Sequence, residues 1–124
     1  MINVYGFFDP NNSDKCLYIG VTDNYTRRIN EHIKSLEKGI HKNKSLQKAY
    51  NKCLKNGYYP EGRLLQVINS DSTLIKFFIE GLYNSLYCPS CNRIVISQGR
   101  SSVILSRCNK DIAEKLLSVI ENID

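Results

Sequence analysis

The sequence predicts an α+β fold in which one small sheet of three strands is flanked by helices. Two short segments, residues 2–8 and 16–21, are rich in β-branched and aromatic residues, and a run of turn-forming residues separates them. A third apolar segment lies at residues 63–68, after two stretches with helical periodicity. Strands of this length with helices between them favour one mixed or antiparallel sheet covered by helices.

The first two strands are predicted to pair as an antiparallel hairpin. The intervening residues 9–14 read Asp-Pro-Asn-Asn-Ser-Asp, and residues of these types favour a turn between paired strands. Each strand carries a tyrosine and a glycine, at residues 5–6 and 18–20. The two tyrosines, Tyr5 and Tyr18, are therefore expected on neighbouring strands.

Two helices are predicted to follow the hairpin. The first begins after a cap at Thr22 or Asp23 and ends at Gly39, because a glycine readily adopts the left-handed conformation that closes a helix. The second spans about residues 45–54, with Gly57 as its stop signal. The apolar positions predicted to face the core are Tyr25, Ile29, Ile33 and Leu36 in the first helix and Leu46, Ala49, Tyr50, Cys53 and Leu54 in the second.

A third strand and a third helix complete the predicted core. Residues 63–68 form a nearly continuous apolar run, which is typical of a central strand. Residues 69–72 are predicted to form a turn and a helix cap, and a helix follows from Thr73 to about Leu86. Its predicted buried stripe consists of Ile75, Phe78, Ile79 and Leu82.

Residues 93–124 are predicted to extend this core. Residues 93–97 and 102–106 have the pattern of a second hairpin, and Asn109 can cap a final helix. No linker separates this extension from the preceding residues. A single domain is therefore expected, with a core over residues 1–92 and an extension packed on it.

The net charge of +5 is concentrated in one part of the chain. Residues 1–57 contain ten Lys or Arg and five Asp or Glu, whereas residues 58–124 contain seven of each kind. A basic surface of this kind attracts nucleic acid, because each neutralised phosphate releases counterions. A solvated helix face is the alternative interpretation. The candidate phosphate-binding residues are Arg27, Lys34, Lys38, Lys42, Lys44 and Lys48.

The chain is expected to act inside the cell and away from membranes. No segment resembles a signal peptide, and no apolar run approaches the roughly 20 residues of a membrane-spanning helix. Five cysteines, an odd number, favour a reducing compartment. The expected localisation is cytoplasmic, or nuclear if the source is eukaryotic or viral.

Three cysteines are candidates for a zinc site. Cys88 and Cys91 have the spacing of half a zinc-binding motif, and Cys108 is a possible third ligand. No second matching pair follows, so a fourth ligand would have to be Cys16, Cys53 or a histidine. Free thiols are the default interpretation, and a structural Zn²⁺ is the less favoured one.

Arg28 and His32 lie four residues apart and share one face of the first helix. That face is about 100° from the apolar stripe through Ile29 and Ile33, which places the pair at the edge of the core. An arginine there can bind phosphate oxygens at two points, and a histidine can donate to phosphate or pass a proton. The positive charge of Arg28 would also lower the pKa of a nearby tyrosine. A surface arginine beside a half-buried histidine is the alternative.

Glu80 is the only carboxylate between Asp71 and Asp111, and it lies within an apolar helical segment. An acidic residue in such a segment is either an exposed polar position or a metal ligand. Mg²⁺ is often held by only one or two carboxylates, with phosphate and water as the remaining ligands. Glu80 is therefore a candidate metal ligand.

Together these residues resemble the GIY-YIG nuclease superfamily, and the resemblance covers about residues 2–92. Within that superfamily the later pieces are most similar to the nuclease domain of phage intron-homing endonucleases. The segments that carry the resemblance are Val4-Tyr5, Tyr18-Ile19-Gly20, Arg28 with His32, Leu36-Glu37-Lys38-Gly39 with His41, and Leu46-Gln47 with Asn51-Lys52.

The resemblance implies a GIY-YIG fold and a metal-dependent DNA endonuclease that uses Mg²⁺ or Mn²⁺. It implies that Tyr5 is a general base or positions water, and that Tyr18 supports the nucleophile and the phosphate. Arg28 would stabilise the transition-state phosphate. The other implied roles are catalysis for His32 and His41, metal binding for Glu80, and support of the site for Gly20 and Asn92.

The chain departs from the superfamily pattern at Asn3, where the first motif normally begins with glycine. A second alignment of the aromatic run would put Ile75 at the metal position and make the chain an inactive member. Glu80 is preferred, because Leu82 and Tyr83 then fill the aromatic positions. The alternative functions are an inactive nucleic-acid-binding or regulatory module and a zinc-stabilised interaction domain. Action as a homodimer is also possible.

Overall fold

The computed structural model describes residues 1–92, which form a three-stranded sheet and three helices. The α+β class predicted from the sequence is confirmed. The predicted second hairpin, the final helix and Cys108 lie outside the described residues. The elements are β1 (Ile2–Asp9), β2 (Lys15–Thr22), α1 (Tyr25–Glu37), α2 (Lys44–Lys55), β3 (Glu61–Ile68) and α3 (Thr73–Tyr87).

The sheet is antiparallel throughout, with the strand order β2-β1-β3. The predicted hairpin of β1 and β2 is confirmed, and Tyr5 lies opposite Gly20 in its register. The prediction that the third strand is central is wrong, because β1 pairs on both sides and β3 lies at an edge. The apolar run of β3 is only partly buried, and Leu64 and Val67 are exposed.

The capping residues of α1 differ from the prediction by one or two positions. Asn24, rather than Thr22 or Asp23, is the N-cap, and its side chain accepts a hydrogen bond from the backbone of Arg27 over 3.1 Å. Thr22 instead accepts from the Asn24 amide over 3.1 Å, which holds the cap in place. Gly39 ends the helix as predicted, with a left-handed φ of 73°.

The other two helices also begin at capping side chains. Asn43 caps α2 and Ser72 caps α3, each by accepting from the backbone amide three residues along the chain. Gly57, the predicted stop signal of the second helix, has a left-handed φ of 87°. Within residues 1–92 no helix has both the length and the apolar character needed to cross a membrane.

Two hydrophobic cores lie on opposite faces of the sheet, because successive side chains of a strand point to opposite sides. The α3-side core contains Ile2, Val4, Phe8, Cys16, Ile19, Ile68, Ile79, Leu82 and Tyr83. The α2-side core contains Tyr5, Phe7, Leu17, Leu36, Leu46, Tyr50 and Cys91.

Several apolar positions predicted to be buried face solvent instead. Ile33 in α1, Leu54 in α2, and both Ile75 and Phe78 in α3 are exposed. On α1 the buried side chain next to Ile33 is His32, with 2 % of its surface exposed. The buried face of α1 is therefore turned toward the histidine rather than the isoleucine.

Candidate active site

Tyr5, His32 and His41 form a row of hydrogen-bonded side chains, the polar row, within the α2-side core. Tyr5 Oη lies 2.8 Å from His32 Nε2, and His32 Nδ1 lies 2.7 Å from His41 Nε2. All three residues are buried. The prediction that His32 lies at the edge of the core is wrong, and its burial is possible because both of its ring nitrogens have partners.

The backbone of Asn43 fixes the direction of the polar row. Its N–H donates to His41 Nδ1 over 3.0 Å, so this nitrogen carries no proton. Burial lowers the pKa of His41 and lowers the pKa of His32 to about 3, so both rings are neutral near pH 7. Since each neutral ring has one proton, His41 donates to His32, and His32 donates to Tyr5 Oη. The hydroxyl proton of Tyr5 therefore points away from His32.

The two hairpin tyrosines hold their protons more tightly than the sequence predicts. Burial raises the pKa of Tyr5 and of Tyr18, and the positive charge of Arg28 opposes this shift only in part. The prediction of a lowered tyrosine pKa is wrong, because the loss of solvation outweighs the attraction of a nearby cation. Both tyrosines are neutral phenols near pH 7, with ring centroids 6.2 Å apart.

Gly20 leaves the space that the ring of Tyr5 occupies. A Cβ atom at this position would lie 2.6 Å from the Tyr5 hydroxyl oxygen and 3.0 Å from Cε1 of Tyr18. The first distance is shorter than real Cβ contacts and the second is tighter than most of them, so any larger residue would displace one of the tyrosines. By having no side chain, Gly20 leaves room for Tyr5 and Tyr18 in their positions.

Arg28 provides a positive charge next to the polar row. Its guanidinium is about half exposed, contacts Glu31 at 3.8 Å and interacts with the Tyr5 hydroxyl. Its charge influences the pKa values of the tyrosines and histidines around the polar row. A cation that is close to these groups and still accessible to solvent can bind an incoming phosphate.

Glu80 lies on α3. Its negative charge raises the pKa of Tyr18, so the carboxylate is within electrostatic reach of that hydroxyl. Burial raises the pKa of Glu80 itself, with Lys76 opposing the shift. Within residues 1–92 the carboxylate makes no hydrogen bond or ion pair. Ile75, the alternative metal position, is an exposed apolar residue without a donor atom.

The surroundings of Glu80 fit a magnesium ion better than a metal held by protein atoms alone. Within residues 1–92 no three His, Cys, Asp or Glu residues cluster closely enough to hold a metal. A half-buried carboxylate without a partner can serve as the single protein ligand of Mg²⁺, which keeps several waters and accepts phosphate oxygens. The donor set therefore suits a metal that binds together with its substrate.

Asn92 fastens the chain after α3 to the free edge of β2. The amides of Ser90 and Cys91 donate to the carbonyls of Cys16 and Leu17 over 3.2 and 2.7 Å. The side chain of Asn92 then both donates to and accepts from the backbone of Ile19, over 2.9 and 2.8 Å. The side-chain amide thus replaces a strand residue beside Tyr18.

Gln47 is a site residue to which the sequence analysis assigned no role. It is buried, and its Oε1 accepts from the backbone amide of His41 over 3.1 Å. Its Nε2 donates to the carbonyl of Leu36 and to Asn51 Oδ1, both over 3.0 Å. These bonds hold the loop that carries His41. A glutamine on the apolar side of an amphipathic helix is the signal that could have revealed it.

The candidate phosphate-binding residues all lie on the surface. Arg27 contacts Asp23 at 3.0 Å and Glu31 at 3.9 Å, so its charge is partly neutralised. The others are exposed lysines of α1, α2 and the segment between the two helices: Lys34, Lys38, Lys42, Lys44 and Lys48.

Within residues 1–92 the cysteines do not gather into a zinc site, which was the less favoured interpretation, and the third candidate, Cys108, lies outside the described residues. Cys16, Cys53 and Cys91 are buried free thiols. Cys88 is disulfide-bonded, so it provides no thiolate to a metal, and the expectation of a free thiol there is wrong. Burial raises the pKa of Cys16 to about 12, which keeps this thiol protonated and unreactive.

Comparison with known proteins identifies the fold over the part of the chain that carries the polar row. The family model described as the GIY-YIG catalytic domain matches residues 1–69, which is more than half of the chain. No curated protein and no solved structure matches. The matched residues include both tyrosines, Arg28 and both histidines, whereas Glu80 and Asn92 lie beyond the matched range.

Proposed function

Because the chain belongs to the GIY-YIG catalytic domain family, we propose that it is a metal-dependent DNA endonuclease that hydrolyses phosphodiester bonds. A nuclease domain acts on nucleic acid, and the excess of basic residues suits a polyphosphate substrate. The observation that carries the proposal is the electrostatic coupling of Tyr18 to Tyr5, Arg28 and Glu80, which come from four different elements.

Tyr5 is proposed to position the attacking water. Its oxygen accepts from His32, and its own proton points away from that ring, so the hydroxyl would bond to a water on the side where Tyr18 and Arg28 lie. Because burial raises its pKa, Tyr5 is protonated near pH 7 and suits a positioning role better than that of a base. The donor from His32 also stabilises any negative charge that develops on the oxygen.

Arg28 and Glu80 are proposed to act on the two sides of the reacting phosphate. Arg28 would neutralise charge on the equatorial oxygens as the transition state forms. Glu80 would hold Mg²⁺ or Mn²⁺, which when bound stabilises charge on the leaving oxygen. Tyr18, close to both charges, would bond to a phosphate oxygen and help to fix the scissile group.

Plasmid cleavage with purified protein tests the proposal. We expect the parent protein to nick or linearise supercoiled DNA with Mg²⁺ or Mn²⁺ and to be inactive in EDTA. Glu80→Gln and Arg28→Ala should each reduce the rate at least ~100-fold, because each removes a charge that stabilises the transition state. Glu61→Gln, at an exposed carboxylate of β3, is the matched control and should cut at the parental rate.

The contrary outcomes are distinct. Cleavage at the parental rate by Glu80→Gln would show that the metal is bound elsewhere. If the parent protein binds DNA in a salt-sensitive manner but cleaves it with neither metal, the protein is an inactive nucleic-acid-binding module and not an endonuclease.

A further inference from the structure

The solvent-facing side of α2 carries a continuous stripe of lysines. Lys44, Lys48, Lys52 and Lys55 are spaced by four, four and three residues, which places them on one side of a helix. All four are exposed, and the buried residues of α2 lie on the opposite side. We refer to these four residues as the α2 stripe.

The α2 stripe carries charge that the described part of the protein leaves unbalanced. α2 contains no acidic residue, and within residues 1–92 none of the four lysines forms an ion pair. The basic residues at the start of α1 differ, because Arg27 and Arg28 contact Glu31. Lysines one turn apart on a helix repel each other and weaken it. A solvated face normally avoids this by alternating acids and bases, so the stripe suits a partner with closely spaced negative charges.

The α2 stripe begins at the active site. Lys44 directly follows Asn43, whose amide bonds to His41, and the charge of Lys44 contributes to the lowered pKa of that histidine. From Lys44 to Lys55 the helix extends about 16 Å away from the site. One strand of duplex DNA advances about 3.4 Å per phosphate, so this length covers roughly five nucleotides.

We propose that the α2 stripe binds the phosphate backbone of duplex DNA on one side of the bond that is cleaved. This inference rests on the proposed endonuclease function and adds to it where the substrate lies. Lys44 would contact the phosphates nearest the scissile bond, and Lys52 and Lys55 those farther along the strand. The last two lysines extend the set of phosphate-binding residues predicted from the sequence.

Salt-dependent binding in EDTA tests whether the α2 stripe binds DNA, without involving cleavage. The probe is a fluorescent 20-base-pair duplex, and its affinity for the full chain is measured over a series of salt concentrations. Lys52→Gln and Lys55→Gln should each reduce the slope of log K against log salt by about 0.9, and the double variant by about 1.8. Lys15→Gln, an exposed lysine at the start of β2, removes the same charge elsewhere and should leave the slope unchanged.

Cleavage kinetics give a second measurement. Lys52 and Lys55 lie away from the reacting bond, so their loss should raise KM and leave kcat unchanged. If the slope of log K against log salt is the same for the α2 variants and Lys15→Gln, the α2 stripe does not bind DNA, even if the parent protein cuts it. If the α2 variants reduce this slope but the parent protein does not cut DNA, the α2 stripe is supported as a DNA-binding surface and the endonuclease function is wrong. Thermal denaturation of each variant confirms folding, which we expect because the substitutions relieve repulsion within α2.

Discussion

The two faces of the sheet are built on different physical principles. The α3-side core is held by apolar burial, and Ile79 and Leu82 are almost completely enclosed. The α2-side core surrounds a row of polar side chains whose hydrogen bonds replace those lost to water. Apolar packing is tolerant of which groups meet, whereas a buried hydrogen bond requires particular atoms in a particular direction. The first face therefore stabilises the sheet, and the second fixes the geometry of the site.

The largest expected effect is on the α3-side core. Leu82→Ala should lower the free energy of unfolding by ~2–5 kcal/mol, because the side chain is 1 % exposed and its loss leaves a cavity. Leu74→Ala, at a position of the same helix that is 79 % exposed, is the control and should change stability by less than ~0.5 kcal/mol. Urea unfolding measures both. Similar losses for the two variants would mean that α3 packs through its exposed side.

The α2-side core should show a dependence on pH that the other core lacks. Folding holds His32 neutral down to about pH 3, whereas in the unfolded chain it takes up a proton below its ordinary pKa of 6.5. The unfolded state thus binds more protons between these values, so stability is full above pH 6.5 and falls as the pH drops. The loss from His32 alone between pH 7 and pH 5 should be about 2 kcal/mol.

Urea unfolding of the parent protein and of His32→Gln at several pH values measures this contribution. The variant lacks the titrating ring, so the difference in stability between the two proteins should narrow as the pH falls from 7 to 5. If the difference in stability between the two proteins stays constant from pH 7 to pH 5, burial does not keep the His32 ring from taking up a proton.

A smaller effect is expected at Gln47, which supports the polar row without belonging to it. Gln47→Leu keeps the size of the side chain but leaves the amide of His41 without a partner and removes one of the hydrogen bonds to the carbonyl of Leu36, which still accepts from Gly39. The cost should be ~1–2 kcal/mol. Cleavage should fall through kcat more than through KM, because the loop that positions His41 is released. Asn51→Ala, which removes only one of the three bonds, is the control and should retain most of the activity.

The sequence predicted the elements of the fold well where one strong local signal was present. The turn residues between β1 and β2 and the glycines at 39 and 57 gave correct boundaries, because each has a backbone preference that acts locally. The cap of α1 was misplaced because Thr22, Asp23 and Asn24 are all good capping residues. Only the surrounding hydrogen bonds decide that Asn24 fills the role.

Properties that depend on tertiary contacts could not be predicted in the same way. The apolar run of β3 suggested a central strand, but which strand pairs on both sides depends on the whole sheet. Periodicity assigned Ile33 to the core and His32 to its edge, because a pattern of apolar residues does not reveal hydrogen-bond partners. The direction of the tyrosine pKa shift likewise depends on how far Tyr5 and Tyr18 are enclosed, and the nearby arginine alone suggested the opposite sign.

Asn43 links the local stability of a helix end to the chemistry of the site. Its side chain caps α2 and bonds to the carbonyl of Cys91, while its backbone amide sets the proton of His41. When the first turn of α2 frays, as helix ends do well below the melting temperature, His41 loses its fixed tautomer and the row that ends at Tyr5 loses its direction. The protein should therefore lose activity on warming before it unfolds, with amide exchange at the start of α2 as the early sign.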